Sequence, residues 1–358
     1  MDRPSKTGES VPGNDLWSRT RILPIVLYSP ETALMLGGGT LTLLDLEGAR
    51  LDRPSSFSLF GIYTTNQQLV LAAAYELRGR DDRHVVQQIV RFVDWPDRFY
   101  GLGNRLNKGI QVGGRGNSPR SYLNFTDRYL QLETEYLYQP LKAIYVGMGH
   151  HLRWSRADDI ESTEQSELLR ALRGTQPLRW SGFMPILAYD TRDRLFWPSS
   201  GLFLRGDAFL YRRLTGSDFD GTFYRLDGRA YGQPLKGQVA AARFTLQRAT
   251  GDIPFQRLPA LGGPDLFRGW YLGRLRDRAL VCQQFEWRSE LSHSMAVVSF
   301  VSAGRVAPTL ASLTPAELRY AGGVGYRYAL DIEQRAHLRL DLAYGAGFEF
   351  YFQFKEAF

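Results

Sequence analysis

From Arg21 to the end of the chain, hydrophobic and polar residues alternate with a period of two. The clearest case is the end, where Phe348, Phe350, Phe352 and Phe354 fall on one face and Glu349, Tyr351, Gln353 and Lys355 on the other. Such alternation predicts a strand that is apolar on one side and wet on the other. The segment before it repeats the pattern, with Leu338, Leu340, Leu342 and Tyr344 opposing His337, Arg339 and Asp341. Before that, Tyr320, Val324, Tyr326 and Tyr328 alternate with Arg319, Gly323, Gly325 and Arg327. Continuing backward, the pattern predicts strands over 21–29, 32–45, 56–65, 67–78, 84–93, 129–139, 143–154, 182–191, 201–212, 222–232, 237–249, 280–289, 295–305, 318–329, 334–344 and 347–358. The tally is about sixteen, an even number that suits a closed up-and-down barrel. Most run about ten residues, enough to cross a bilayer at a tilt.

The expected fold is therefore all-β, a transmembrane antiparallel barrel over residues 21–358, preceded by a polar, linker-like segment over 1–20. A soluble sandwich is the alternative, with the apolar faces meeting in a core instead of facing lipid. The connections are of two kinds. Pro30-Glu31, Asn66 and Gly345-Ala346 are short; Pro96–Arg120, Ser155–Ser181 and Gly251–Ala279 are long and polar. Short turns on one rim and long loops on the other is the expected arrangement of an outer-membrane barrel. One short loop helix is expected within Ser162–Arg173.

Composition narrows this picture. Aromatics make up 13% of the 358 residues and glycine contributes 36, which favours strands and turns over helices. Mean hydropathy is −0.29 and no run nears the roughly 18 apolar residues of a membrane helix, which excludes helical spans and leaves strands open. The net charge of +7 is spread along strand-like segments beside 37 acids, so no nucleic-acid partner is expected. Cys282 is the only cysteine, which excludes an intrachain disulfide and a cysteine zinc site. No apolar signal core opens the chain, so an exported protein would have lost its targeting peptide before Met1.

Catalytic motifs are missing: the sequence has no Gly-x-Ser-x-Gly elbow, phosphate loop or His-Glu-x-x-His. His150 and His151 are adjacent on a strand and face opposite sides, so they cannot chelate one metal together. No enzyme activity, cofactor or metal is expected. Charges on the wet faces carry more information. Arg205 and Asp207 share a face, as do Arg225, Asp227 and Arg229, and Glu286, Arg288 and Glu290. Such rows predict cross-strand pairing inside a polar lumen, either as an ion pathway or as a rigid network.

One loop stands out. Between Leu261 and Tyr271, the glycines Gly262, Gly263 and Gly269 with Pro264 forbid a continuous ladder, yet Leu266, Phe267, Trp270 and Tyr271 hold too much apolar area to leave in water. Either this is a surface hairpin with an incidental Arg268, or it folds into a cavity that offers the guanidinium a carboxylate. Glu286, on the next strand and pointing inward, is the expected partner.

At these residues the chain resembles the BamA/TamA superfamily of outer-membrane insertase and translocase barrels. The segment Gly262 to Trp270 resembles the family's inward-folded sixth loop, with Arg268-Gly269-Trp270 in place of Arg-Gly-Phe or Arg-Gly-Tyr. Tyr28-Ser29-Pro30-Glu31-Thr32 resembles its first hairpin. Asp190, Arg192 and Asp193, with Pro198 and Gly201, resemble its eighth strand and following turn. The end, with Phe350, Phe352, Phe354 and Phe358, resembles the closing-strand signal read by the assembly machinery. The resemblance covers roughly 21–358. It implies that acids on two successive strands hold the loop arginine; Glu286 matches the first, while the second falls near Ser302, so another group would have to serve. Lys355 and Pro185 depart from the pattern and put local pairing in question. No repeated soluble domains precede Arg21, either because they were cut away or because the chain is of a branch without them.

The resemblance implies a role in inserting or translocating outer-membrane proteins, or lipids, through a seam between first and last strands. The alternatives are a non-catalytic anchor that binds a lipoprotein, an accessory periplasmic protein or a second copy, and a passive porin. In every case the lipid bilayer is a partner.

Overall fold

The computed structural model describes residues 20–44, 55–79, 83–104, 121–162, 166–331, 335–354 and 356–358. In chain order the strands are β1 (Thr20–Ser29), β2 (Ala33–Leu44), β3 (Ser55–Thr64), β4 (Leu69–Arg78), β5 (His84–Phe99), β6 (Leu123–Leu141), β7 (Ile144–Asp158), β8 (Leu178–Asp190) and β9 (Gly201–Tyr211). They continue as β10 (Gly221–Leu235), β11 (Gln238–Gly251), β12 (Ala260–Leu261), β13 (Leu275–Arg276), β14 (Ala279–Glu290), β15 (Met295–Ala307), β16 (Arg319–Asp331), β17 (Ala336–Tyr344) and β18 (Phe348–Phe354). All but β12 and β13 form one closed antiparallel barrel of sixteen strands, in which each strand pairs with its barrel neighbours in sequence and β18 meets β1. β12 and β13 make a separate two-stranded ladder within the loop after β11. Closure excludes the sandwich. The expected helix is α1 (Ser166–Arg170).

Alternation sorts the side chains as the period predicts. Leu340, Leu342, Tyr344, Phe350 and Phe354 are exposed on the outside, while Arg339, Asp341 and Tyr351 are buried within. An apolar exterior over charged interior positions is the inverted arrangement that a bilayer requires.

Two differences from the sequence expectation have physical causes, and the expectation at Pro185 is met. β5 runs on through Pro96 to Phe99, although a proline lacks the donor for a ladder. Its pairing with β4 stops at Leu69↔Asp94, so beyond that point β5 has only β6 beside it, and Pro96 sits where an edge strand tolerates it. Pro185 does interrupt pairing: β8 joins β9 at Phe183↔Leu210 and again at Ile186↔Asp207, with no partners between. The closing strand ends at Phe354, and Phe358 belongs to no strand; it is buried inside the barrel with Tyr231, Ala241 and Ala357.

The rims also differ from expectation. In an up-and-down barrel, the connections after alternate strands share a rim, so 30–32, 65–68 and 345–347 lie on the same rim as the long loops 100–122, 159–177 and 252–278. On this rim the short connections gather near the β1/β18 seam, while 142–143, 236–237 and 291–294 are short turns on the other rim. The loop rim is therefore low at the seam and high on the far side, where β5, β6 and β7 span 16, 19 and 15 residues. Beneath those tall strands, Phe99, Phe125, Trp180, Phe209, Phe223 and Phe255 belong to one buried apolar cluster that fills the lumen from that side.

Candidate functional site: the loop-locked lumen and the seam

The loop 252–278 folds into the barrel. Its two arms pair as β12 and β13, Leu261 against Leu275, and its tip turns through α2 (Gly263–Leu266). The Gly263 amide donates to the Trp270 carbonyl at 2.8 Å and closes the tip. Leu261, Phe267 and Trp270 are buried against Leu280, Cys282 and Val306, so the aromatic area that water would reject is packed on the barrel wall. The Trp270 indole donates to the Tyr320 carbonyl at 3.1 Å. Gly269 has φ +90°, and a β-carbon there would stand 2.8 Å from the Tyr344 backbone, so only glycine lets the tip press against the turn 345–347. The Gly269 amide donates to the Tyr351 hydroxyl at 3.0 Å, and its carbonyl accepts from Ala346 at 2.9 Å.

Arg268 is fully buried between two carboxylates. Its Nη2 donates to Glu286 on β14, and its Nη1 donates to Asp341 on β17 at 2.8 Å. The face of the guanidinium lies over the Phe300 ring, 3.4 Å from its centroid. A planar cation held by two acids and an aromatic ring is well compensated in a site where an unpaired charge would be costly. Ser302, the position that the resemblance assigns to the second acid, points inward but does not reach Arg268; its hydroxyl is buried without a hydrogen-bond partner among the described residues. Asp341 supplies the carboxylate instead, from two strands further round.

The pair extends into a network. Arg288 Nε donates to Glu286 at 3.0 Å. Arg327 bridges Asp341 at 2.6 Å and Glu356 at 2.8 Å. Arg339 reaches Asp265 in α2 at 3.2 Å. The residues after β18 are held by arginines of the inner wall: Arg288 donates to the Phe358 carbonyl at 2.9 Å and Arg243 to the Ala357 carbonyl at 3.3 Å. Elsewhere on the wall, Asp207 accepts from both Arg205 and Arg225, and Asp227 from Arg229 and Arg243. The wet-face charges thus pair across strands as a braced interior.

The turn 191–200, on the opposite rim, brings in a group to which the alternation does not point. Asp190 accepts from Arg192 at 2.8 and 2.9 Å, and Asp193 accepts from the Ser199 hydroxyl at 2.6 Å and from the amides of Ser199 and Ser200. Burial alone would raise the Asp193 carboxyl, but these bonds hold it below its ordinary range. Gly201 closes the turn at φ +103°. The effect of this scaffold is to throw Trp197, beside Pro198, into the lumen. There it is buried, packs against the tilted ring of His337 with centroids 4.4 Å apart, lies under the Arg288 guanidinium and donates to Glu290 at 3.4 Å. The apolar run Leu195-Phe196-Trp197 within a charged and hydroxyl-rich connection was the available signal.

The last part of the site is the seam. Every residue of β1 from Thr20 to Ser29 has a partner in β2, but among the described residues its other edge meets β18 at a single register position, Tyr28↔Phe352. The Tyr28 and Phe350 rings touch outside at 5.6 Å, and the Gln353 side chain donates to the Tyr28 carbonyl at 2.9 Å. Phe350, Phe352 and Phe354 face outward from this weakly joined strand, whereas Phe358 lies within the barrel.

Cys282 is occupied in packing, its thiol 3.3 Å from the Leu266 carbonyl. His151 meets the Tyr211 hydroxyl at 3.2 Å in the apolar cluster, and His150 faces outward on the other side of the same strand.

Comparison with known proteins supports the same architecture. The Omp85 superfamily domain matches residues 151–355, more than half of the chain. Among solved structures, BamA from Haemophilus ducreyi lacking POTRA domains 1–3 aligns over 93% of this chain and 69% of its own, at 13% identity and TM-score 0.64. CdiB from Acinetobacter baumannii aligns over 94% and 59%, at 12% identity and TM-score 0.59. CdiB from Escherichia coli aligns over 96% and 63%, at 11% identity and TM-score 0.60. The chain thus spans about six- to seven-tenths of the length of these structures. A search of curated proteins finds no sequence match.

Proposed function

Because the chain belongs to the Omp85 superfamily of outer-membrane barrels, we propose that it assembles or translocates proteins at the outer membrane through the seam between β1 and β18. The observation that carries this reading is the unequal pairing of β1, complete on its β2 edge and reduced to Tyr28↔Phe352 on the other. An unpaired edge is a template for an incoming strand, which gains main-chain hydrogen bonds there without displacing a full ladder. Arg268, Glu286 and Asp341 brace the wall from β14 to β17, on the β18 side of the seam, so that movement is concentrated at the joint with β1. The motif residues Gly262, Gly263, Gly269 and Trp270 serve the same lock by fitting the loop tip to the wall.

The test is a reversible lock. With Tyr28→Cys and Phe352→Cys oxidised to a disulfide in proteoliposomes, insertion or passage of a barrel client should stop and return on reduction. Undiminished activity of the oxidised protein would overturn the proposal.

A second reading, an interaction barrel for a partner protein or second copy, has one observation in its favour. A groove of about 770 Å³ on the outer face has a floor of small residues, Gly228, Ala230, Ala242 and Ala303, between Leu204 and Phe285. Small residues let two membrane surfaces approach closely. Ala230→Phe should disperse such an assembly on native gels while leaving the monomer folded.

A further inference from the structure

Strands β1 to β3 are apolar on both faces. Outside, Leu36 and Leu59 face the bilayer, as expected. Inside, the register is fixed by Tyr351, which is buried in the lumen: its neighbour Phe352 points out and pairs with Tyr28, so Leu23, Ile25 and Leu27 point in. Across the ladder the inward positions continue as Met35 in β2 and as Phe60 and Ile62 in β3. These side chains are only half-buried, Leu23 remaining 47% exposed, and none belongs to the buried clusters beneath the loops. A water-filled lumen is lined by polar groups, as it is where Arg205, Asp207, Asp227 and Arg243 pair along β9 to β11. Toward the turn rim the surface becomes polar: a cavity of about 300 Å³ is lined by Ser56, Ser58, Glu76, Gln87, Glu133 and Glu135. One carboxylate oxygen of Glu135 is buried there without a partner among the described residues.

This inner surface is amphipathic, and it is continuous with the lipid-facing exterior at the one place where the barrel wall is joined by a single register pair. We propose that the inner face of β1 to β3 binds a phospholipid drawn from the surrounding bilayer through the seam. Its acyl chain lies along Ile25, Phe60 and Ile62, and the ammonium of an ethanolamine headgroup meets the Glu133 and Glu135 carboxylates of the cavity below. A bilayer lipid fits both halves of the surface and stands at the entrance at high concentration. The site uses the same seam as the proposed activity but needs no protein client.

The experiment reconstitutes the intact protein in phosphatidylethanolamine and phosphatidylglycerol vesicles containing a trace of phosphatidylethanolamine with a diazirine on its acyl chain. After irradiation, labelled residues are mapped by mass spectrometry. Label is expected at inward Ile25, Met35 and Phe60 as well as at outward Leu36 and Leu59. With Tyr28→Cys and Phe352→Cys oxidised before lipid is added, the inward label should be lost and the outward label kept. Ile25→Ser with Ile62→Ser should weaken the inward label alone. Labelling confined to outward residues in the unlocked protein overturns the inference, and so does inward label that the lock leaves unchanged. If the lock stops client insertion but no inward label ever forms, the lipid site is refuted and the insertase reading survives. If inward label forms and is lost on locking while client insertion continues, the lipid site stands and the insertase reading falls.

Discussion

Arg268 can be buried only because two carboxylates and a ring meet it. Removing the cation by Arg268→Ala leaves Glu286 and Asp341 facing each other, and loss of one member of a buried pair typically costs about 3–5 kcal/mol. The folded form on semi-native gels should therefore convert at a lower temperature; an unchanged midpoint would show that the loop is held without the clamp. Asp341→Asn should lower the midpoint nearly as far, and Ser302→Ala should leave it in place, because the Ser302 hydroxyl bonds to nothing among the described residues. Gly325 offers a finer test: a β-carbon there would lie 2.1 Å from the Asp341 carboxylate. Gly325→Ala should thus cost about 1–3 kcal/mol by overpacking, read by the same gel shift. At this scale the sequence was partly legible. Alternation placed Glu286 and Asp341 on the inner face and the glycine-rich loop asked for a cavity. That Asp341, and not position 302, completes the clamp was hidden, because it depends on how the curved wall brings β17 towards the loop.

Among the elements, strands were easier to read than what joins them. A period of two survives any curvature, whereas a boundary depends on the neighbour: Pro96 reads as the end of β5 until one sees that β4 has already stopped pairing. The turn 191–200 and the residues after β18 are the harder cases. Phe358 continues the aromatic alternation and so reads as strand, but Arg288 and Arg243 draw the chain inward beyond Phe354. Trp197 meets this inward segment through the same Arg288. Trp197→Ala should open a cavity costing about 3–5 kcal/mol and make the segment 356–358 accessible to a carboxypeptidase in the folded barrel. Resistance equal to that of the parent protein would separate the turn from the tail.

For the whole molecule, the two ends of the lumen are closed by different means, the loop 252–278 with its apolar surroundings at one rim and Trp197 with Phe358 at the other. In planar bilayers the intact protein should give only small, brief conductance steps; a large steady current would point to a porin. Trp197→Ala should lengthen the steps. A plug of this kind was foreseeable once the aromatic loop was set inside a barrel, but the inequality of the rim was not, since the position of a connection around the circumference is a property of closure.

The clamp also has a bearing on the order of events in folding. The bonds of Arg268 go to Glu286 and Asp341, and those of Gly269 to Tyr351 and the turn after β17. All come from the last hundred or so residues, a stretch short enough for its contacts to form before distant ones. The C-terminal strands can therefore gather round the loop tip as an open trough, while β1 still lies unattached. Once the seam has closed, the tip would have to pass through a lumen already crowded by its own side chains, so its entry belongs early. The joint at Tyr28 and Phe352 is then the final step of construction, and it is the one that has least to undo.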